Sequence, residues 1–152
     1  MRNSDITPGL QEYLTSIYRL KKSGKKEIRI GDLARERNVR LPSVTGAMKR
    51  LAKMNLVKYS RYGSIELTED GERIAEVLDR IERDFYSFLV NFLGVPEDEA
   101  REEACHVEHG VNVETAKRLV AFMDYLNKCL PEEERRRIKE YIEERADLKC
   151  ST

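Results

Sequence analysis

Cys105, Glu108 and His109 stand at i, i+3 and i+4. On an α-helix that spacing places all three on one face. Thiolate, carboxylate and imidazole are all donors to divalent metal ions, so the set reads as a candidate metal site. His106 precedes His109 by three residues and can lean the same way; both histidines of the chain fall in this stretch. Two plainer readings stand beside it. A cysteine is often a small core hydrophobe, and a Glu–His pair is often a surface neighbour. A nucleophilic thiol is the weakest reading, because no third orienting residue and no Gly-rich loop accompanies the Cys–His pair.

A second group of residues suits a polyanion. Ser43, Thr45, Gly46 and Lys49 fall on the exposed side of a short apolar-periodic segment, with Arg40 and Pro42 at its start. Hydroxyls can donate or accept at base edges, and the Thr methyl can touch a thymine methyl. Lys49, Arg50 and Lys53 suit phosphates, and Arg61 and Tyr62 occupy a turn that can reach the DNA backbone or the minor groove. The charge distribution agrees. Residues 1–66 hold 15 Lys and Arg against 6 Asp and Glu, whereas residues 67–152 hold 13 against 22, although the net charge is zero. A basic half that meets a polyanion and an acidic half with another task would give this split.

The elements that must position these groups follow from apolar spacing. Leu10, Tyr13, Leu14, Ile17 and Tyr18 form an amphipathic first helix that ends near Ser23-Gly24. Ile30, Leu33 and Ala34 begin a second, Asn38 to Arg40 form a turn, and Pro42 suits the first position of a third. Val57 to Ser60 and Ile65 to Leu67 flank a Gly-containing turn and predict a hairpin. Thr68 can cap a fourth helix, in which Gly71 reads as a minor flaw, and Gly94 stops it. Pro96 opens a fifth helix that runs to about His109, Asn112 caps a sixth, and Pro131 starts a charged seventh whose surface position is favoured over a dimer strut. Three helices and a hairpin in the basic half describe a winged helix-turn-helix, with the third helix in the major groove. The fold class expected is mainly α.

Composition narrows the remaining classes. The 152 residues suit one domain or two small ones. No apolar run approaches the ~20 residues needed to span a bilayer, and no secretory signal opens the chain. Three widely spaced cysteines without a C-x-x-C pair argue against a disulfide framework and for a reducing cytoplasm. Nothing marks an enzyme.

The chain resembles the diphtheria-toxin-repressor family of metal-dependent transcription regulators, in length the shorter manganese-transport-regulator branch. The resemblance covers about residues 8–145 and rests on Glu12-Tyr13-Leu14 with Ile17-Tyr18, Val39 to Thr45, Leu67 to Gly71, Phe92 to Val95, and Glu103-Ala104-Cys105 through Glu108-His109. It implies a winged-helix DNA-binding domain over residues 1–70 and a helical dimerisation and metal-binding domain over 71–148. It implies a homodimer on a palindromic operator in double-stranded DNA. It also implies one intact metal site, from Glu12, Cys105, Glu108 and His109. A second family site is expected to be lost, because Thr15, Arg83, Ser87 and Arg101 stand where ligands occur, and Arg guanidinium charge takes a cation's place. Cys105 favours Fe(II), with Mn(II), Zn(II), Co(II) or Ni(II) as alternatives. Phe85, Phe88, Leu89 and Phe92 are the expected dimer surface. The alternative is a winged-helix regulator of the same fold whose metal site has degenerated.

Overall fold

The computed structural model describes residues 6–60 and 63–146, and for Glu108 and His109 the backbone alone. Its elements run α1 Pro8–Lys22, α2 Ile30–Glu36, α3 Leu41–Lys53, β1 Val57–Tyr59, β2 Ile65–Leu67, α4 Glu69–Asn91, α5 Glu97–Gly110, α6 Val113–Lys128 and α7 Glu132–Ala146. The chain divides into two compact units inside α4, between Asp79 and Arg80.

The first unit is a winged helix. Leu14 and Ile17 of α1, Leu33 of α2, and Val44, Met48 and Leu51 of α3 are almost wholly buried and form its centre. Both helices of the helix-turn-helix end the same way. Asn38 and Asn55 adopt left-handed backbone, with φ 51° and 57°, which Asn tolerates better than most residues. Val39 N–H then donates to Ala34 O at 3.0 Å, and Leu56 N–H to Leu51 O at 2.9 Å. These six-to-one bonds close Schellman turns and satisfy terminal carbonyls. The first aims α3, and the second starts β1. The wing pairs antiparallel with Val57 opposite Leu67 and Tyr59 opposite Ile65. Ile65 N–H also donates to Ile28 O at 2.7 Å, which ties the wing to the segment before α2.

Thr68 joins the wing to α4. Its hydroxyl accepts from Gly71 N–H at 3.0 Å and donates to Asn55 O at 2.8 Å. Gly71 is no flaw. A Cβ there would lie 1.9 Å from Leu56 O, so the close approach of α4 to the backbone before β1 requires glycine.

In the second unit Ala100 and Ala104 of α5 and Val113, Ala116, Val120 and Met123 of α6 are buried with Leu89 and Phe92 of α4. Asn112 caps α6, its Oδ1 accepting from Thr115 N–H at 2.9 Å. Arg80 bridges α4 to α6, donating to Asp84 at 2.9 Å and to Asp124 at 2.8 Å. Gly94 is left-handed, φ 68°, and ends α4 as its position suggests. No residue of α7 is buried within the chain. Among the described residues, no helix is long and apolar enough to cross a membrane.

Candidate DNA interface and metal site

The recognition helix α3 divides cleanly. Val44, Ala47, Met48 and Leu51 face inward, and Pro42, Ser43, Gly46, Lys49, Arg50 and Lys53 are exposed. Arg40, the N-cap residue, is exposed as well. Thr45 is half-buried, and its hydroxyl donates to Leu41 O at 3.0 Å. With that proton committed to the helix backbone, Thr45 offers its methyl and the acceptor lone pairs of its hydroxyl rather than a free donor. Leu41 is 55 % exposed and Val39 36 %. Period-3.6 reasoning places Leu41 on the buried stripe with Val44 and Met48, yet it starts the helix and projects beyond the core. Two apolar side chains therefore stand at the tip of a basic surface, a feature that sequence reasoning missed. Arg61 and Tyr62 lie outside the described residues.

The metal candidates fall in both units. On α5, a continuous helix from Glu97 to Gly110 carries Cys105, Glu108 and His109 within one turn. The Cys105 thiol is exposed and free; it is Ala104 that is buried. This removes the reading of Cys105 as a core hydrophobe. Glu108 and His109 are placed by their backbone alone. Among the described residues no group of three His, Cys, Asp or Glu side chains is placed to hold a metal. The donor chemistry of Cys105, Glu108 and His109 nonetheless fits a first-row divalent ion. His106 Nδ1–H donates to Glu102 O one turn back, at 2.8 Å, which leaves Nε2 as its acceptor nitrogen.

Glu12 is half-buried on α1 and accepts from Arg37 Nη2. The Arg37 guanidinium also lies 4.8 Å from the centroid of the Tyr13 ring, and burial pushes the Tyr13 phenol up from its ordinary range. This arrangement has no local signature, because the partners are 25 residues apart.

The four positions expected to have lost a second site make other contacts. Thr15 is buried with its hydroxyl bonded to Glu12 O at 3.0 Å, inside its own helix. Ser87 accepts from Asn91 Nδ2 at 2.9 Å. Arg83 is exposed, 3.9 Å from Asp84, and Arg101 lies 5.9 Å from the Tyr86 ring centroid. Of the expected dimer surface, Leu89 and Phe92 are buried within the chain. Phe85 and Phe88 are half-buried, and Phe88 packs on Phe122 with centroids 6.4 Å apart. Phe122 and Tyr125 are more than half exposed. Phe85 and Phe88 of α4 and Phe122 and Tyr125 of α6 are therefore the aromatic side chains left partly or largely exposed here.

A winged helix-turn-helix with a basic recognition face, followed by a helical unit bearing candidate metal donors, points to a DNA-binding regulator. Residues 5–65 match the family model described as the iron dependent repressor N-terminal DNA binding domain. Residues 68–139 match that of the iron dependent repressor metal binding and dimerisation domain. The chain belongs to the iron-dependent repressor family, a family of DNA-binding transcriptional regulators. An uncharacterized HTH-type transcriptional regulator of Methanocaldococcus jannaschii is 36 % identical over 120 residues, 78 % of this chain and 95 % of that protein. The iron-dependent repressor IdeR of Mycobacterium tuberculosis is 27 % identical over 121 residues, 80 % of this chain and 52 % of that one. The solved structure of ScaR with bound Zn2+ superposes with a TM-score of 0.62 at 32 % identity, covering 76 % of this chain and 54 % of that chain. A manganese-dependent transcriptional repressor in complex with manganese gives 0.59 at 29 % identity, covering 76 % and 53 %. The chain thus spans about half the length of IdeR and of these two solved structures.

Proposed function

We propose that this protein is a metal-dependent transcriptional repressor of metal-homeostasis genes, acting in the cytoplasm as a homodimer on a palindromic operator. The observation that carries the metal part is the exposed, uncommitted Cys105 thiol on the helical turn that also bears Glu108 and His109. Those three, with Glu12 of the DNA-binding unit, would hold one divalent ion. A bound ion would supply a multivalent positive charge to these donors. In a homodimer the paired recognition helices must match half-sites about one DNA turn apart, ~34 Å, and metal binding would act on that spacing. Such a switch works only through a difference in metal affinity between the DNA-competent and other arrangements. The thiol favours Fe(II) over Mn(II) as the effector.

The test is Cys105→Ser in a DNA-binding titration with Fe(II) under anaerobic conditions. The reading expects metal-stimulated binding to be lost while metal-free binding is unchanged. If the variant responds to metal as the parent does, Cys105 is not a ligand and the site is misassigned.

A further inference from the structure

Arg37 has no place in the ligand set, yet it holds one of its members. It is the C-cap residue of α2, fixed by the Asn38 turn that also launches the recognition helix. From there its Nη2 donates to Glu12 Oε2 on α1, and its plane rests against Tyr13. Only 22 % of the Arg37 side chain and 30 % of the Glu12 side chain are exposed. Screening by water is therefore reduced relative to a surface pair. A guanidinium cannot give up its charge near neutral pH. A divalent ion approaching Glu12 meets a carboxylate whose lone pairs are partly committed and a fixed positive charge beside it.

We propose that Arg37 is a resident cation that competes with the divalent metal for Glu12 and so sets the metal concentration at which the sensor responds. The inference rests on Glu12 being a metal ligand. Competition follows from charge. An Arg that merely oriented Glu12 would raise metal affinity, whereas a competing Arg lowers it, so the two roles differ in sign. Charge favours competition: Arg37 engages the carboxylate that would bind the ion, and its guanidinium keeps a positive charge that repels a second cation there. Release of Arg37 would also be felt by the turn that aims α3, since Arg37 ends the helix before that turn.

The experiment uses the full chain titrated with Mn(II) and with Zn(II) alone, affinity being read by competition against a chelating dye. Arg37→Gln should bind at least ~10-fold more tightly than the parent, equivalent to about 1.4 kcal/mol. Arg37→Lys, which keeps the charge, should stay within ~3-fold of the parent and serves as the folding control. Glu12→Gln should bind more weakly, and the double variant Glu12→Gln/Arg37→Gln should match Glu12→Gln, because Arg37 acts through Glu12. If Glu12→Gln weakens binding but Arg37→Gln leaves it unchanged or weaker, the competition is refuted and the ligand set stands. If Glu12→Gln has no effect, Glu12 is not a ligand, and the four-ligand reading fails together with this inference.

Discussion

Replacing Gly71 by alanine sets two physical effects against each other. Gly71 lies in the first turn of α4, and on helix propensity alone alanine there should stabilise by up to ~1 kcal/mol. The local packing opposes this. The added Cβ would stand 1.9 Å from Leu56 O and 2.9 Å from Leu56 C, and both are backbone atoms. No rotamer change relieves such a clash, so α4 or the segment before β1 must move by about an ångström. That movement strains two bonds at the junction, Thr68 N–H to Leu56 O at 3.0 Å and Gly71 N–H to Thr68 Oγ1 at 3.0 Å. Overpacking of this kind costs about 1–3 kcal/mol, so the net expectation is a loss of about 1–2 kcal/mol. Gly46 is the control. It is helical and exposed, and an added Cβ meets nothing within 4 Å. Gly46→Ala should therefore gain up to ~1 kcal/mol. In urea, with a slope of about 1–3 kcal/mol per molar, the two midpoints should move in opposite directions. A Gly71→Ala protein stabilised as much as Gly46→Ala would refute the steric reasoning and the packing of α4 against the wing.

Further outcomes follow from the same structure. Lys49→Ala and Arg50→Ala should each weaken DNA binding across sequences and flatten the salt dependence of affinity by about 0.9 in log–log slope for each phosphate left without its cation, measured by anisotropy at several salt concentrations. Leu41→Ala should lower affinity for thymine-containing operator half-sites, and replacing those thymines by uracil, which lacks the methyl, should weaken the parent but not the variant; equal losses in both would remove Leu41 from the base edges. Lys128 and Arg80, hydrogen-bonded to Asp124, hold its carboxyl below the ordinary carboxylate range. A lowered folded-state pKa contributes stability above the unfolded value, which is lost as pH falls through the folded one. The stability gap between the parent and Asp124→Asn should therefore be full at pH 7 and close below about pH 4, as followed by urea titration at each pH.

The helix-turn-helix was legible because its signals are local. Apolar spacing, Pro42 at a helix start and the Asn38 turn each act within a few residues, and so do the caps at Thr68 and Asn112. What escaped the sequence depends on approach between distant segments. Gly71 reads as a helix flaw until Leu56 is placed above it. Glu12 and Arg37 meet across two helices with nothing in either's neighbourhood to announce it. The aromatic stripe of α4 is visible in the apolar spacing, but its division is not. Leu89 and Phe92 turn inward while Phe88 reaches Phe122, and only the position of α6 decides that. The candidate donors of α5 are proposed from type and spacing alone. The exposure of Cys105 was not legible, since the same helix buries Ala104 next to it.

The most direct test of the central claim is the affinity of the parent protein for an operator selected from a randomised duplex library. It is measured once with chelator and once with Fe(II) under anaerobic conditions. Selection is done in the presence of metal. A metal-coupled repressor should bind at least ~10-fold more tightly with Fe(II), which corresponds to about 1.4 kcal/mol of coupling between the metal and DNA sites. Affinity that is equally tight in chelator and in metal would contradict the account, leaving a winged-helix regulator of this family whose DNA binding does not answer to metal.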